Sequence, residues 1–154
     1  SQPKPFAGCP GTAAKEFAPK KEQPMFTQGN FAIESQITNW PVQIKLVPVK
    51  SPYFDGANLL IAADCTAFSY GNFHNEFLKN HKAVIGCPKL DWVDYSEKLT
   101  QIIALNDIKS VKIVKMEVPC CNGLLNAAKK ALQDSGKFIP WQIVTISTDG
   151  KILD

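Results

Sequence analysis

With 154 residues, 45% of them hydrophobic and 20% charged, the chain has the size and composition of one globular domain that can bury a core. No apolar run approaches the ~18 residues of a membrane span, and no basic-then-apolar leader opens the chain, so no membrane partner and a cytoplasmic location are expected. All 17 basic residues are Lys, against 14 acidic residues for a net +3; without Arg, and with the lysines scattered, nucleic-acid binding is not expected either.

The first segment, residues 1–39, reads as an irregular arm. It holds Pro3, Pro5, Pro10, Pro19 and Pro24 and little periodicity beyond a short helix expected at residues 12–17. Its most distinct feature is Cys9-Pro10-Gly11, a turn that carries a thiol. Residues 40–154 form the α/β domain. Val42, Ile44 and Leu46 alternate with Gln43 and Lys45, which predicts a strand with one wet face, ended by Pro48 and Pro52. Residues 57–65 are a short continuous apolar run, the pattern of a strand covered on both faces. A short helix is expected over residues 72–80 and a second buried strand over residues 82–87, stopped by Pro88. Leu99, Ile102, Ile103 and Leu105 fall at helical spacing within residues 96–106, with Ser96 as the expected cap. Residues 111–118 predict a third strand, stopped by Pro119. Residues 121–132 predict a helix with Leu124, Leu125, Ala128, Ala131 and Leu132 inward and Gly136 just past its end. Residues 141–147 make a last strand before the Asp149-Gly150 turn.

Strands alternating with helices imply βαβ units and a mostly parallel sheet. The expected architecture is a small Rossmann-like or flavodoxin-like α/β sandwich with an irregular N-terminal arm.

The five cysteines are Cys9, Cys65, Cys87, Cys120 and Cys121. An odd count, with two of them adjacent, does not suit a disulfide framework. Cys65 ends the first buried strand, Cys87 ends the second, and Cys120 and Cys121 follow the third. In a parallel sheet, strand C-termini share one edge, the edge where open α/β folds bind ligands. Helix N-termini on that edge favour anions, and Cys121 at the first turn of a helix is placed to have its thiol pKa lowered. Soft thiolates suit iron–sulfur, zinc or Cu(I) and not magnesium or calcium. No C-x-x-C is present, so zinc-ribbon and ferredoxin cluster signatures are missing. Packing is the bland alternative for each cysteine, since free Cys is often buried. His74 is a candidate ligand or proton carrier near the rim, although a surface or packing role suits it and His81 better. Asp64 is placed to orient a ligand or cap a loop. Asp91 and Asp94 read as helix-capping and solvated carboxylates, and Phe68, Tyr70, Phe73 and Phe77 as core. Neither a G-x-G-x-x-G turn nor a nucleophile elbow occurs.

Ala62-Ala-Asp-Cys65, Tyr70-Gly-Asn-Phe-His74, Cys87-Pro-Lys-Leu-Asp91 and Met116-Glu-Val-Pro-Cys-Cys-Asn-Gly-Leu124 together resemble the C-terminal cysteine-rich domain of ferredoxin-like (4Fe-4S) iron–sulfur proteins of anaerobic type. Cys9-Pro-Gly11 and Trp40-Pro-Val-Gln43 are similar to that family as well. There the domain typically follows a ferredoxin module with two four-iron clusters, so the resemblance implies either an excised C-terminal domain or a stand-alone version. A partial resemblance links Cys87 and the Cys120–Cys121 pair to the first half of the cysteine-rich domain of heterodisulfide reductases. That domain holds a non-cubane cluster, but its downstream C-x-x-C is missing here.

The resulting expectation is an iron–sulfur redox or electron-transfer domain of ordinary or atypical cluster type, and an oxidoreductase role is open. Cys65, Cys87, Cys120 and Cys121 are the expected ligands, with Cys9 a further ligand or a lid. A ferredoxin module or soluble electron-transfer protein is the expected partner. The alternatives are a metal-free thiol enzyme using Cys120 or Cys121, and a zinc-stabilised interaction module.

Overall fold

Three short segments rich in β-branched and apolar residues, 57–65, 82–87 and 111–118, become neighbouring parallel strands. The structure is a computed structural model that describes residues 8–21 and 32–154. Pro3, Pro5 and Pro24 fall outside those residues. In chain order the elements are a 3-10 turn at Pro10–Thr12, β1 (Lys15–Glu16), β2 (Asn39–Trp40), a 3-10 turn at Pro52–Phe54, β3 (Asn58–Ala63) and α1 (Thr66–Ser69). A π-helical turn at His74–Leu78, β4 (Lys82–Gly86), α2 (Pro88–Asp91), α3 (Ser96–Leu105), β5 (Ser110–Met116), a 3-10 turn at Pro119–Cys121, α4 (Asn122–Asp134) and β6 (Trp141–Ile146) follow.

The main sheet runs β4-β3-β5-β6 and every pairing in it is parallel. The chain steps from β3 outward to β4, then crosses back over β3 to β5 and continues to β6. This is the flavodoxin-like order, and its topological switch point lies between β3 and β5. The α/β class and mostly parallel sheet read from the sequence are therefore present. β3 is central, which is why Leu59, Leu60, Ile61 and Ala62 are all wholly buried. Each large apolar side chain so buried contributes roughly 1.5–3 kcal/mol of transfer free energy.

The helices α3 and α4 pack against each other. Leu99, Ile102 and Ile103 of α3 meet the core with Leu124, Ala128 and Ala131 of α4. Ala127 is buried in place of the expected Leu125, which is only half-buried, because small residues let α4 lie close. Leu105 is 49% exposed, since α3 ends there and its last side chain clears the core. Ser96 lies inside α3 and Tyr95 holds the cap position; the side chain that serves the first turn is that of Asp94, whose Oδ1 accepts the Ser96 backbone N–H at 2.9 Å. That hydrogen bond holds the Asp94 carboxyl below its ordinary range. At the other end, Lys137 Nζ donates to the carbonyls of Ile103 (2.9 Å) and Asn106 (2.7 Å), satisfying acceptors the last turn leaves over.

The remaining expectations change at the arm. No helix forms at residues 12–17; Cys9-Pro10-Gly11 starts a 3-10 turn and β1 pairs antiparallel with β2. The alternation at residues 42–46 gives only an isolated parallel bridge, Gln43 with Ile85. Ile44 N donates to Ile85 O at 2.8 Å and Ile85 N to Val42 O at 2.7 Å, after which the chain turns, with Leu46 and Val47 N–H groups returning to Gln43 O. Alternation marked which side chain is buried, Ile44, but the chain turns at once toward Pro48 and cannot extend the ladder. The expected helix at residues 72–80 shortens to the π turn, where Phe73 and Phe77 pack ring to ring at 5.5 Å.

The arm lies along the β4 edge. Asn39, wholly buried, donates from Nδ2 to Pro41 O (3.2 Å) and Ala83 O (3.0 Å), and its Oδ1 accepts the Ala83 N–H at 2.8 Å. Asn39→Ala leaves both Ala83 backbone groups without partners in a dry place. It is expected to lower stability by about 2 kcal/mol, read as a lower denaturant midpoint at unchanged slope.

Candidate functional site

Cys65 lies two residues beyond β3. The strand ladder extends one residue, with Asp64 N donating to Gly86 O at 3.1 Å, and Thr66 Oγ1 then turns the chain by donating to Ala63 O at 2.7 Å. Cys87 follows β4 directly, and Pro88 opens α2, with Asp91 N closing on Cys87 O at 3.0 Å. After β5, Pro119 starts a 3-10 turn whose Cys121 N–H returns to Val118 O at 3.1 Å, and α4 begins immediately. Each break therefore comes where a strand ends in a polar residue or a proline.

These three strand ends form one cavity of about 280 Å³. Cys65, Cys87, Cys120 and Cys121 all line it, with Ala63, Gly86, Pro88, Met116 and Val118 supplying an apolar wall. Asp64, Ser69 and Thr148 are its polar members. Cys65 and Cys120 are exposed, Cys87 is half-buried and Cys121 is buried. Cys9 is exposed and is not among the lining residues; its Sγ lies over Gly11 in the arm. The structure thus brings four of the five expected thiols together and leaves the fifth apart.

Burial pushes the Cys121 thiol above its ordinary pKa, outweighing a hydrogen bond with the Met116 backbone, and the Cys120, Cys65 and Cys87 thiols add to the rise. This reverses the expectation of a lowered thiol at the start of α4. The apolar wall penalises a bare thiolate more than the helix end favours it. Asp64 is also held above its usual range, first by burial, opposed by the Gln43 side chain and helped by the Asp91 charge. Its Oδ1 is buried with no hydrogen-bond partner. Cys121 and Asp64, both held up first by burial, thus face the cavity with no positive charge beside them to favour ionisation.

The histidines stand elsewhere. His74 Nδ1 accepts the Gln36 N–H at 3.1 Å, beside a different depression lined by Ile33, Ser35, Gly71 and Asn72. His81 Nδ1 pairs with Lys79 O at 2.8 Å. Phe68 is not core: it is 94% exposed on α1, because Thr66 takes the buried side of that one-turn helix and Phe68, two residues on, the opposite side. Leu90 and Trp92, just after Cys87, are 76% and 90% exposed. The cavity is therefore bordered by segments that carry exposed apolar side chains.

Among the described residues, no three His, Cys, Asp or Glu side chains come close enough to hold a single metal ion. One zinc would need its thiolates about 3.8 Å apart, from Zn–S bonds of ~2.3 Å in a tetrahedron. A cluster of several irons sets its thiolates wider, because each binds a different iron. The all-thiol donor set on an apolar wall has the donor chemistry of an iron–sulfur site.

Sequence reading missed the lining residues Ser69 and Thr148 and the Asp91–Tyr95 pair beneath Cys87. Only the four-residue spacing of Asp91 and Tyr95 hinted at contact.

A family model for a Rossmann-like domain matches residues 51–154. The chain belongs to that Rossmann-like family. All four cavity cysteines fall inside the matched span and Cys9 falls before it. An uncharacterized protein of Archaeoglobus fulgidus is 36% identical over 103 residues, covering 66% of this chain and 72% of the relative. No solved structure matches the chain. Among the described residues, no helix is long and apolar enough to cross a membrane.

Proposed function

We propose that this Rossmann-like domain is an iron–sulfur cluster-binding redox domain, with Cys65, Cys87, Cys120 and Cys121 as ligands. The observation that carries the reading is the convergence of these four thiols, from three independent strand ends, on one small apolar cavity at the switch point of the sheet. When bound, a cluster would supply one-electron chemistry. The chain's own residues gather the thiolates, and Met116, Val118 and Pro88 give them an apolar wall on one side. The cluster's iron charge would offset the cost of ionising Cys121 beside three other thiols.

The resemblance to cysteine-rich domains of ferredoxin-like proteins and heterodisulfide reductases supports the same reading, and electron exchange with a ferredoxin module or soluble electron-transfer protein follows from it. The exposed Phe68, Leu90 and Trp92 near the mouth give such a partner an apolar place to sit, and Cys65 and Cys120 are exposed there.

One observation favours a second reading, a metal-free thiol enzyme. Cys120 is exposed at the cavity mouth and can meet a substrate, whereas Cys121, buried and with a raised pKa, makes a poor nucleophile. A zinc-stabilised module has less support, since no three donors approach closely enough for one ion.

The deciding experiment is a visible absorption spectrum with iron, sulfide and zinc analysis on protein prepared and reconstituted without oxygen. A brown protein with matched iron and sulfide is expected. A colourless, metal-free protein after reconstitution would overturn the cluster reading and move the function to Cys120.

A further inference from the structure

The Cys87 backbone is held by a closed ring of hydrogen bonds. Its N–H donates to Tyr95 Oη at 3.0 Å. The Tyr95 hydroxyl in turn donates to Asp91 Oδ2, and the Asp91 backbone N–H donates back to Cys87 O at 3.0 Å. Trp92, in a left-handed conformation at φ 50°, then ends the turn with its N–H on Pro88 O at 3.0 Å.

Tyr95 is only 2% exposed although it is the residue before α3. Its ring lies against Gly86, where an added Cβ would come within 2.8 Å of both Cζ and Oη. A bare glycine at the end of β4 is thus what lets a buried phenol reach the amide of the next residue. A buried phenol needs hydrogen-bond partners, and this one finds them in a loop carboxylate and the cysteine amide. Both the N–H and the C=O of Cys87 are engaged, so the backbone that aims its thiol has no free polar group left to rotate toward water.

We infer that Tyr95 and Asp91 are positioning residues that lock the Cys87 loop and so hold the Cys87 thiol aimed into the cavity. Gly86 makes room for the lock. The inference deepens the proposed function, since it gives Cys87 the supported geometry that a ligand needs. Its physical content, however, is the orientation of one thiol and can be read without metal.

The test compares Tyr95→Phe, Asp91→Ala and Asp91→Asn with the unaltered chain. Tyr95→Phe keeps the ring on Gly86 and removes only the hydroxyl; Asp91→Asn keeps an acceptor for that hydroxyl. In reduced, metal-free protein, iodoacetamide labelling of each cysteine is followed by peptide mass spectrometry, with Cys120 as the internal reference. The Cys87-to-Cys120 labelling ratio is expected to rise several-fold in Tyr95→Phe and Asp91→Ala and to stay near the unaltered value in Asp91→Asn. An unchanged ratio in Tyr95→Phe overturns the inference, and so does a rise shared equally by all the cysteines, which would mark Tyr95 as a general core residue.

In reconstituted protein, Tyr95→Phe is also expected to lose its iron to a competing chelator at about tenfold lower chelator concentration, the size of effect on metal affinity that losing a ligand's hydrogen-bonded support produces. If no variant, nor the unaltered chain, takes up iron, the cluster reading falls while the labelling ratio still decides the role of Tyr95.

Discussion

Cys87→Ser is expected to cut the iron and sulfide content of anaerobically reconstituted protein to about a tenth or less, because removing a ligand costs more than the 10–100-fold seen for losing a ligand's support. A serine hydroxyl is smaller than the thiol and is a much harder and far less acidic donor, so it holds iron more weakly in a thiolate set. Cys121→Ser is expected to do the same. Because Cys121 is buried against an apolar wall, its replacement also needs the melting temperature of the metal-free variant as a check on folding. Cys9→Ser is the control. Cys9 is exposed in the arm and does not line the cavity, so its loss is expected to leave iron and sulfide near the unaltered level. Full retention of iron in Cys87→Ser, Cys121→Ser and Cys120→Ser alike would remove the cavity as the cluster site. Loss of iron in Cys9→Ser would bring the arm into the ligand set.

The largest stability effect is expected at Gly150, in the turn after β6. Its φ is 88°, a conformation L side chains rarely adopt. A Cβ there would sit 2.1 Å from the Ser69 carbonyl oxygen, a backbone atom that cannot swing aside. Gly150→Ala therefore combines backbone strain with a forced separation of the β6 turn from α1, together about 3 kcal/mol or more. For a domain of this size that is roughly a 10 °C fall in melting temperature, checked by calorimetry or thermal circular dichroism. The turn matters to the site as well, because Thr148 and Ser69 line the same cavity as the thiols. Gly150→Ala is expected to lower cluster retention along with stability. By contrast, Gly56→Ala, at a positive φ of 76° but with open space around the added carbon, is expected to cost only the backbone term, about 1 kcal/mol. A melting temperature for Gly150→Ala within 2–3 °C of the unaltered chain, about 1 kcal/mol or less, would show that the turn is free to move off α1 and that the contact with Ser69 carries little.

Most of the sheet was legible because burial on both faces leaves a plain mark. Residues 57–65 and 82–87 are short, mostly apolar runs closed by Asp64 and Pro88, residues 111–118 interleave Lys112, Lys115 and Glu117 with apolar side chains before Pro119, and each became a parallel strand within a residue or two of the expected bounds. The long helix α4 was legible from its period and from Gly136, which adopts φ 70° just beyond it. Residues 42–46 misled because alternation reports which side chains are covered, not whether a neighbouring strand is there to extend the ladder. Ile44 is buried as the pattern says, yet the chain makes only one bridge to β4 before it turns. Phe68 misled for a related reason: an aromatic in an apolar stretch reads as core, and only the direction of a single helical turn exposed it.

The sequence alone determined that Cys65, Cys87 and the Cys120–Cys121 pair follow buried strands, because strand ends are local events written by proline and polar residues. Parallel pairing then obliged all of them to one edge. Which thiols share a cavity was a tertiary matter. It depended on the order β4-β3-β5-β6, which sets the three cysteine-bearing strands side by side, and on the arm's path along β4, which leaves Cys9 outside. The acidity of Cys121 was likewise decided by the fold: helix position is local, but the apolar wall that raises its pKa comes from residues far apart in the chain. So was the lock on Cys87, where a phenol eight residues away reaches an amide only because Gly86 has no side chain to stop it.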